Sequence, residues 1–452
     1  MSTPHSIAPD HPLEPNQTQM AEMGGQVLDR VIDFISGLPD SPAIGIADRD
    51  ATTTLVREML APPPEHPGEL PALLDRLDRA AGCAYETAGP GYFAYIPGGG
   101  LYTSLLGDLY ARAVNRYVGL AALAPPLAAL EQSVVRWLAQ DVAGLPEGSG
   151  GLLTSGGSMA NFSAVVAARH THLGEEIEAG TMYVGEHAHQ SVLKAARLAG
   201  LRAAHVRTVP STPELRMDVA AAAEMIEADR RAGRRPFLIV GSAGTTNTGT
   251  VDPLRELAEL AAAERLWFHV DGAYGGLFRL TERGRQRLAG MELADSVTLD
   301  PHKTMFLPYG TGALVVRDPG RLAAAHQVGG HYLQDLNPDA EVPDFAHLGA
   351  ELSRELRGLR VWLPLHLHGV AAFRDALDEK LDLAERAWRA LSAVEALELP
   401  WRPELSTVAF RVRARGADPA AQRAADEAGR RLLERINASG RILISSTLVD
   451  GR

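Results

Sequence analysis

The stretch LWFHVDGAY, residues 266–274, carries an apolar run, then an acidic residue, then two small residues. Short apolar runs rich in aromatic and β-branched side chains predict buried strands, and the glycine after this run predicts a turn. The carboxylate of Asp271 is therefore expected at the end of a buried strand, where it is costly without a cationic or hydrogen-bonding partner. A structural aspartate that caps the next turn is the alternative, because Asp favours caps and turns.

The same kind of apolar run recurs on both sides of this stretch. Helical patterns separate the runs, and strands that alternate with helices predict a mostly parallel α/β sheet with helices on both faces. In such sheets ligands bind at the carboxyl ends of the strands, so the residues directly after each run are the candidates for chemistry. Besides residues 266–270, the predicted strands are 151–154, 181–184, 236–240, 296–299 and 312–316.

The motif TSGGS, residues 154–158, follows one predicted strand and precedes a predicted helix. Gly156 and Gly157 would let backbone N–H groups approach an anion, and the helix start and the hydroxyl of Ser158 would add to its binding. This pattern suits a phosphate. An ordinary glycine turn capped by Ser158 is an alternative of equal weight.

The motif DPHK, residues 300–303, follows another predicted strand. Pro301 biases Asp300 away from helix, so the chain is expected to turn and to leave Lys303 at the ligand edge of the sheet. A lysine in a partly desolvated pocket has a lowered pKa and acts as an amine nucleophile toward an aldehyde. A surface position is the commoner fate of a single lysine.

The motif EHAHQ, residues 186–190, places His187 and His189 directly after a predicted strand. Such histidines are candidates for metal ligands, for a flat ring against a cofactor, or for buried rings bonded to backbone. A metal-dependent hydrolase that uses these two with His269 and Asp271 is accordingly the alternative from another class of enzyme. That alternative gives no role to the glycine motif or to the lysine.

Four of these features together favour pyridoxal phosphate (PLP). This cofactor needs a phosphate cradle, a ring-stacking group, a carboxylate at the ring nitrogen and a lysine that forms a Schiff base. The chain offers them in the order Ser158, His189, Asp271 and Lys303.

Composition limits the classes of partner. The chain has 452 residues, a net charge of −12 and one cysteine, Cys83. An acidic chain does not favour nucleic-acid or anionic-membrane binding, which needs a basic face. No stretch reaches the ~20 apolar residues of a membrane span, and the first 20 residues lack a signal-peptide pattern. A cytoplasmic setting is expected, because a single cysteine forms no intrachain disulfide.

The length and the patterns predict three parts of the chain. Residues 1–85 are expected to form an N-terminal arm and a helical segment, residues 86–360 a large α/β domain, and residues 361–452 a smaller α+β domain. Within the smaller domain the expected elements are helices at 365–391 and 419–436 and strands at 407–412 and 442–444.

Residues 91–364 resemble the group II PLP-dependent decarboxylases, which include the aromatic-L-amino-acid, histidine and glutamate decarboxylases. The resemblance rests on DPHK preceded by HVDGA, and on GYFAYIP at residues 91–97. It implies the aspartate aminotransferase fold (fold type I), with a mostly parallel central sheet flanked by helices. The activity it implies is decarboxylation of an L-amino acid to the amine and CO2.

The resemblance also implies a role for each matching residue. Lys303 would carry the cofactor, Asp271 would pair with the ring nitrogen, and His189 would stack on the ring. A homodimer with shared active sites is implied as well, with Ser353 reaching the phosphate in the partner subunit. The remaining cofactor-binding positions would be Gly157, Ser158, Thr246, Ala273, Asp300 and His302.

One position departs from the family pattern. In many members a tyrosine on a loop protonates the product, and counting back from the motif LRGL gives Phe345 as the equivalent position here. Tyr332, His331 and His347 are the other candidates for this acid. Such a replacement is associated in the family with aldehyde formation, so an aromatic aldehyde synthase is the alternative within PLP chemistry. The family pattern also predicts a further strand and helix beyond Arg452.

An aromatic or apolar L-amino acid is preferred over glutamate as the substrate. The predicted pocket is mostly aromatic and has no obvious arginine for a side-chain carboxylate. The segment 120–123, which a neighbouring chain would contribute, is small and apolar. The predicted pocket residues are Tyr92, Phe93, Tyr95, Pro97 and Phe345.

Overall fold

The structure of the chain is a computed structural model that describes residues 13–45, 49–327 and 342–449. Two compact units can be separated, and each is described by itself. The first comprises Met1–Pro97 with Arg430–Ser446, and the second comprises Gly98–Gly429 with Thr447–Arg452. The three-part division expected from the sequence stays a prediction.

The N-terminal part of the first unit is helical. Its helices are α1 (Gln17–Gly37), α2 (Arg49–Met59) and α3 (Leu70–Gly82). Helix α1 begins with a capping box, because Asn16 Oδ1 accepts from the backbone of Gln19 at 3.0 Å while the Gln19 side chain accepts from the backbone of Asn16 at 2.8 Å. This reciprocal pair satisfies two backbone donors and fixes where the helix starts.

The first unit also has a small core, which contains Ala43, Ala94 and Leu443. Residues 442–444, which were expected to form a strand, do not form one in the structure. Leu443 alone makes a parallel bridge, to Tyr92, because its N–H donates to Gly91 and its carbonyl accepts from the residue after Tyr92. One bridge pairs one residue on each side, which is too short for a strand.

The second unit is built on a seven-stranded sheet with the order β1-β7-β6-β5-β4-β2-β3. Strands β2 to β6 pair in parallel with their neighbours among themselves, whereas β7 runs antiparallel to both β1 and β6. The mostly parallel α/β fold predicted from the sequence is therefore confirmed. The strands are β1 (Gly150–Thr154), β2 (Gly180–Gly185), β3 (Val206–Val209), β4 (Arg235–Ser242), β5 (Trp267–Gly272), β6 (Ser296–Leu299) and β7 (Gly312–Val316).

Strand β3 is the element that the apolar pattern misses. It forms the edge of the sheet and pairs only with β2. Of its four residues only Val209 is fully buried, while Arg207 and Thr208 interrupt the apolar run. An edge strand needs no continuous apolar run, because part of it faces water.

The register of three neighbouring strands places polar residues side by side. Asp271 on β5 pairs with Ser242 on β4 and with Thr298 on β6. All three side chains lie near the carboxyl ends of parallel strands, where ligands bind in sheets of this kind. The sheet therefore presents a row of polar groups at the edge predicted from the sequence.

Helix α6 packs across the sheet from β4 to β7. Its residues Ala160, Ala164, Ala167 and Ala168 are fully buried, and these small side chains let the helix lie close to the strands. The helices of this unit up to residue 326 are α4 (Tyr102–Val114), α5 (Pro125–Trp137), α6 (Gly157–Leu173), α7 (Gln190–Leu198), α8 (Val219–Arg231), α9 (Leu254–Glu264), α10 (Glu282–Arg287), α11 (Pro301–Thr304) and α12 (Pro319–His326).

The helical pattern expected at 365–391 belongs to a longer element, α13 (Leu359–Ser392), which is interrupted at Gly369 by a φ of 73°. A short two-stranded sheet follows, and it covers only the end of the strand expected at 407–412. No helix among the described residues is long and apolar enough to cross a membrane. The last elements are β8 (Leu397–Glu398), β9 (Arg411–Val412) and α14 (Pro419–Ala438).

Candidate active site

A pocket opens beside the carboxyl ends of β4 and β5 in the second unit. It brings together five residues that the sequence predicted for cofactor binding, and no arginine is among the described residues that line it. The five are His189, Thr246, Asp271, Ala273 and Lys303, and the other lining residues are Ser242, Gly244, Thr245 and Tyr274.

Asp271 supplies the buried carboxylate of this pocket. The residue is 7% exposed, and its Oδ2 accepts from Asn161 Nδ2 at 3.0 Å while Oδ1 accepts from the backbone of Ala273 at 3.2 Å. In the described part of the chain Asp271 forms no ion pair. A buried carboxylate with hydrogen-bond donors but no cation is suited to a positively charged ligand group.

Lys303 supplies the amine. Its Nζ lies 3.0 Å from Oδ2 of Asp300, three residues earlier, and its side chain is 21% exposed. The carboxylate of Asp300 is 2% exposed, and its Oδ1 has no hydrogen-bond partner among the described residues. Burial raises the pKa of Asp300, and the positive charges of Lys303 and His302 oppose that rise.

The start of α6 leaves space next to this pair of residues. A Cβ atom at Gly157 would come within 2.8 Å of Asp300 Oδ2 and 3.1 Å of Ala273 Cβ, so only glycine keeps this gap open. Ser158, which is exposed, follows in the first turn of the helix. The gap therefore lies at a helix N-terminus, which favours an anion such as a phosphate.

His302 borders the same region. Its Nδ1 donates to the carbonyl of Thr311 at 2.7 Å, and its Nε2 lies 3.7 Å from Asp300 Oδ2. Burial lowers the pKa of His302, although Asp300 opposes this. His302 is thus held in place by the backbone, with Nε2 directed to the buried carboxylate.

His189 is fixed at the start of α7. Its Nδ1 accepts from the backbone N–H of Ser191 at 3.3 Å and lies 2.8 Å from Ser191 Oγ, so its ring caps the helix. His187 does not line the pocket. Of the two histidines of this motif, the structure thus brings only His189 to the described lining of the pocket, and its part in stacking on a cofactor ring stays a prediction.

The metal-site alternative finds no support in the described residues, where no group of three or more His, Cys, Asp or Glu side chains is placed to hold a metal ion. His269 is fully buried, and its ring nitrogens lie 2.7 Å from Ser296 Oγ and 2.9 Å from Asn161 Oδ1. Burial lowers the pKa of His269 to about 4. Both ring nitrogens of His269 thus form hydrogen bonds with neighbouring side chains.

Phe345 is not among the residues that line this pocket. It is 1% exposed, and the guanidinium of Arg354 lies 4.9 Å from its ring centre. Among the other candidates for a proton donor, His347 lies 3.9 Å from Asp344, while His331 and Tyr332 lie outside the described residues.

The predicted substrate-pocket residues Tyr92, Phe93, Tyr95 and Pro97 belong to the first unit. Tyr92 makes the bridge to Leu443, and Phe93 and Tyr95 are 66% and 67% exposed. Their part in a substrate pocket stays a prediction.

Asn161 and Tyr274 are among the residues of the site that sequence reasoning missed. Asn161 bonds to Asp271, and it lies just after the glycine motif, one turn into α6. Tyr274 lines the pocket, and its hydroxyl bonds to Ser406 Oγ at 2.7 Å and to Thr407 Oγ1 at 3.1 Å. The sequence signals for them were a polar residue on the buried face of a predicted helix and an aromatic residue shortly after the strand that contains Asp271.

These side chains fit PLP. The cofactor has a ring nitrogen that takes a proton, an aldehyde that takes an amine, and a phosphate. The structure offers a buried carboxylate at Asp271 that has no cation partner among the described residues, an amine at Lys303, and at Gly157 a gap beside the start of a helix.

Comparison with known proteins also supports a PLP site. The pyridoxal-dependent decarboxylase conserved domain matches residues 59–413. The aromatic-L-amino-acid decarboxylase of Bacillus atrophaeus is 32% identical over 437 residues, covering 96% of this chain and 90% of that protein. A phenylacetaldehyde synthase of Petunia hybrida is 30% identical over 380 residues, which cover 80% of this chain and 75% of that protein. The crystal structure of Oryza sativa TDC with PLP and tryptamine superposes with a TM-score of 0.90 at 27% identity. The superposition covers 98% of this chain and 93% of that one.

Proposed function

Because the chain belongs to the pyridoxal-dependent decarboxylase family, we propose that it removes the α-carboxylate of an aromatic L-amino acid. The family makes the protein a PLP-dependent carboxy-lyase that acts on amino acids. The proposal concerns the substrate and the residues that act on it. The observation that carries it is the buried carboxylate of Asp271, which has no cation partner in the described chain and shares one pocket with Lys303.

When bound, PLP supplies a protonated ring that accepts the electron pair left by the departing CO2. We assign Lys303 to the bond with the aldehyde carbon and Asp271 to the proton on the ring nitrogen. His189 and Ala273 are assigned to the two faces of the ring, and Thr246 to its substituents. The phosphate is assigned to Gly157 and Ser158, with His302 and Asp300 beside it.

The contacts of Asp300 support a second task for this residue. An amine of Lys303 that is not bonded to the cofactor would take up a proton at neutral pH unless its surroundings prevent it. Asp300 Oδ2, 3.0 Å away, is placed to hold that ammonium group. Lys303 would then be kept within reach of the reacting centre instead of swinging into water.

The aromatic substrate is supported by the relatives and by the pocket. Among the relatives are an aromatic-L-amino-acid decarboxylase and a phenylacetaldehyde synthase. The described residues that line the pocket include no arginine to bind the second carboxylate of an acidic substrate. An aromatic aldehyde synthase is the second candidate, favoured by the petunia relative. The enclosed position of Phe345 gives that candidate no support.

We also propose that the protein works as a homodimer, with Ser353 close to the phosphate in the partner subunit. Helices α1 and α3 bury none of their described residues. Their apolar side chains Ile32, Phe34, Leu73 and Leu77 are 44% to 53% exposed. Exposed apolar faces of this extent are typical of interaction surfaces. Light scattering of the purified protein would give twice the chain mass, and a monomer at working concentration would reject the dimer.

The cytoplasmic setting is kept as a proposal. It is supported by the free thiol of Cys83, which suits a reducing compartment. Fractionation of the producing cells tests it directly.

The substrate is tested by supplying L-tryptophan, L-tyrosine, L-phenylalanine and L-glutamate and measuring CO2, amine, aldehyde and peroxide. The decarboxylase proposal predicts CO2 and amine in equal amounts from an aromatic substrate and little from glutamate. Asp271→Asn should lower kcat about 100-fold or more, because the neutral amide no longer holds the ring proton electrostatically. Equal amounts of aldehyde and peroxide would favour the synthase, and turnover of glutamate alone would reject the aromatic substrate.

A further inference from the structure

The side chain of Asn161 makes four hydrogen bonds while only 1% of the residue is exposed. Its Nδ2 donates to Asp271 Oδ2 at 3.0 Å and to Ser191 Oγ at 2.9 Å. Its Oδ1 accepts from Thr298 Oγ1 at 2.7 Å and lies 2.9 Å from His269 Nε2. A primary amide can donate two hydrogen bonds and accept two, so the hydrogen-bonding capacity of this side chain is fully satisfied.

The proton positions in this network follow from Asp271. An ionised carboxylate only accepts, so Nδ2 of Asn161 must face it, and Oδ1 must face His269. His269 therefore donates from Nε2. Because burial keeps this ring neutral near pH 7, its Nδ1 is free to accept from Ser296 Oγ at 2.7 Å. Ser296 accepts in turn from Trp267 Nε1 at 2.8 Å, so the chain of donors ends on the carboxylate of Asp271.

A second branch leads from the same amide to His189. Ser191 Oγ accepts from Asn161, so its own proton is free to go to His189 Nδ1 at 2.8 Å. The backbone N–H of Ser191 also donates to that nitrogen. Since Nδ1 accepts from a backbone donor, the proton of the neutral ring is on Nε2.

We infer that Asn161 is a positioning residue that orients both Asp271 and His189 toward the bound cofactor. One amide thus connects the carboxylate assigned to the ring nitrogen with the imidazole assigned to the ring face. The inference rests on the proposed function, because it uses those two assignments. Asn161 lies on α6, Asp271 on β5 and His189 before α7, so the amide also ties three elements together.

The test compares Asn161→Leu with Ser191→Ala in the full-length protein. Leucine has a similar shape but no hydrogen bonds, so it removes both branches, whereas Ser191→Ala removes the bonds that Ser191 Oγ makes to Asn161 and His189 and leaves the bond from Asn161 to Asp271. Ser163→Ala is the matched control, because Ser163 is on the same helix, is also 1% exposed, and its hydroxyl has no hydrogen-bond partner among the described residues. Each variant is titrated with PLP, and the absorbance of the bound cofactor is followed against pH.

Asn161→Leu is expected to weaken PLP binding about 10- to 100-fold, the effect of losing a hydrogen bond to a buried charged group. It should also shift the pH dependence of the cofactor absorbance and lower kcat more than it raises KM. Ser191→Ala should keep the wild-type pH dependence, because the bond from Asn161 to Asp271 remains. Ser163→Ala should match the wild type in every measurement.

A variant Asn161→Leu with wild-type PLP affinity and wild-type pH dependence would overturn the inference, even if its melting temperature fell. If the Asn161→Leu variant does not fold, Asn161→Ser is used for the same test. The serine side chain is too short to reach Asp271 and Ser191 together. The affinity and absorbance measurements use no amino-acid substrate. They therefore decide the role of Asn161 whichever substrate the enzyme takes.

Discussion

The ε-amino group of Lys303 lies 3.0 Å from Oδ2 of Asp300, on the short helix that follows β6. The carboxylate is 2% exposed, and the lysine side chain is 21% exposed. A buried carboxylate and an amine held at this distance are energetically coupled, because removal of either leaves the other without its partner. The pair therefore connects the stability of the ligand-free protein to the residue that is assigned to bind the cofactor.

Removal of one member of this pair should destabilise the ligand-free protein. Lys303→Met leaves a buried carboxylate without its cation, and Asp300→Leu leaves the amine without its anion. In a double-mutant cycle the two changes should show a coupling free energy of about 1–3 kcal/mol. The measurement is denaturant unfolding of the wild type, both single variants and the double variant. Additive effects would show that the ion pair is not formed in the folded protein.

A methyl group at Gly157 should weaken the binding of phosphate-bearing ligands. The added Cβ would lie 2.8 Å from Asp300 Oδ2, which forces the gap at the start of α6 to change. Gly157→Ala is expected to lower the affinity for PLP about tenfold or more and the affinity for pyridoxal, which lacks the phosphate, much less. Gly25→Ala is the control, since nothing lies within 4 Å of its added Cβ. Equal losses for both ligands would argue against a phosphate at this position.

His269 should make the stability of the protein depend on pH. Burial lowers its pKa from 6.5 to about 4, so as pH falls the unfolded chain takes up this proton before the folded one. The stabilisation is complete above about pH 6.5 and is lost progressively toward pH 4, by a total on the order of 3 kcal/mol. His269→Gln keeps an N–H donor but does not titrate. Its melting temperature should fall less than that of the wild type between pH 7 and pH 5, and parallel curves would contradict the prediction.

The burial of Phe345 leads to a prediction about products. The ring is 1% exposed under the guanidinium of Arg354, so a hydroxyl added by Phe345→Tyr would be buried there. We expect a loss of about 1–3 kcal/mol in stability and no change in the ratio of amine to aldehyde. Phe373→Tyr, at a ring that is 4% exposed on α13, is the control for stability alone. A ratio that moves toward the amine would restore the hypothesis that Phe345 occupies the position of the proton donor.

Five of the residues that line the pocket could be predicted because each follows a predicted strand. The register of parallel strands brings strand ends to one edge, so Asp271, Thr246 and Lys303 could be placed there without knowing any long-range contact. The fold class followed from the same alternation of apolar runs and helices. These predictions depended on local patterns of apolar and polar residues, and such patterns can be recognised in a single sequence.

The features that could not be predicted depend on contacts between distant segments. The bond from Asn161 to Asp271 joins residues 110 positions apart, and the bond from Tyr274 to Ser406 joins residues 132 positions apart. Phe345 is not among the residues that line this pocket, and its assignment to the position of the proton donor stays a prediction. It depended on counting across a loop of uncertain length, and a local pattern does not fix which side of a segment faces the site.

The most direct test of the account is to find which residue carries the cofactor. The protein is saturated with PLP, reduced with borohydride, digested and analysed by mass spectrometry, with Lys303→Met as the control. The account predicts a reduced adduct on Lys303 in the wild type, its absence in the variant, and its loss when an aromatic L-amino acid is added before reduction. An adduct on another lysine, or none on a saturated wild-type protein, would contradict the assignment of this pocket as the active site.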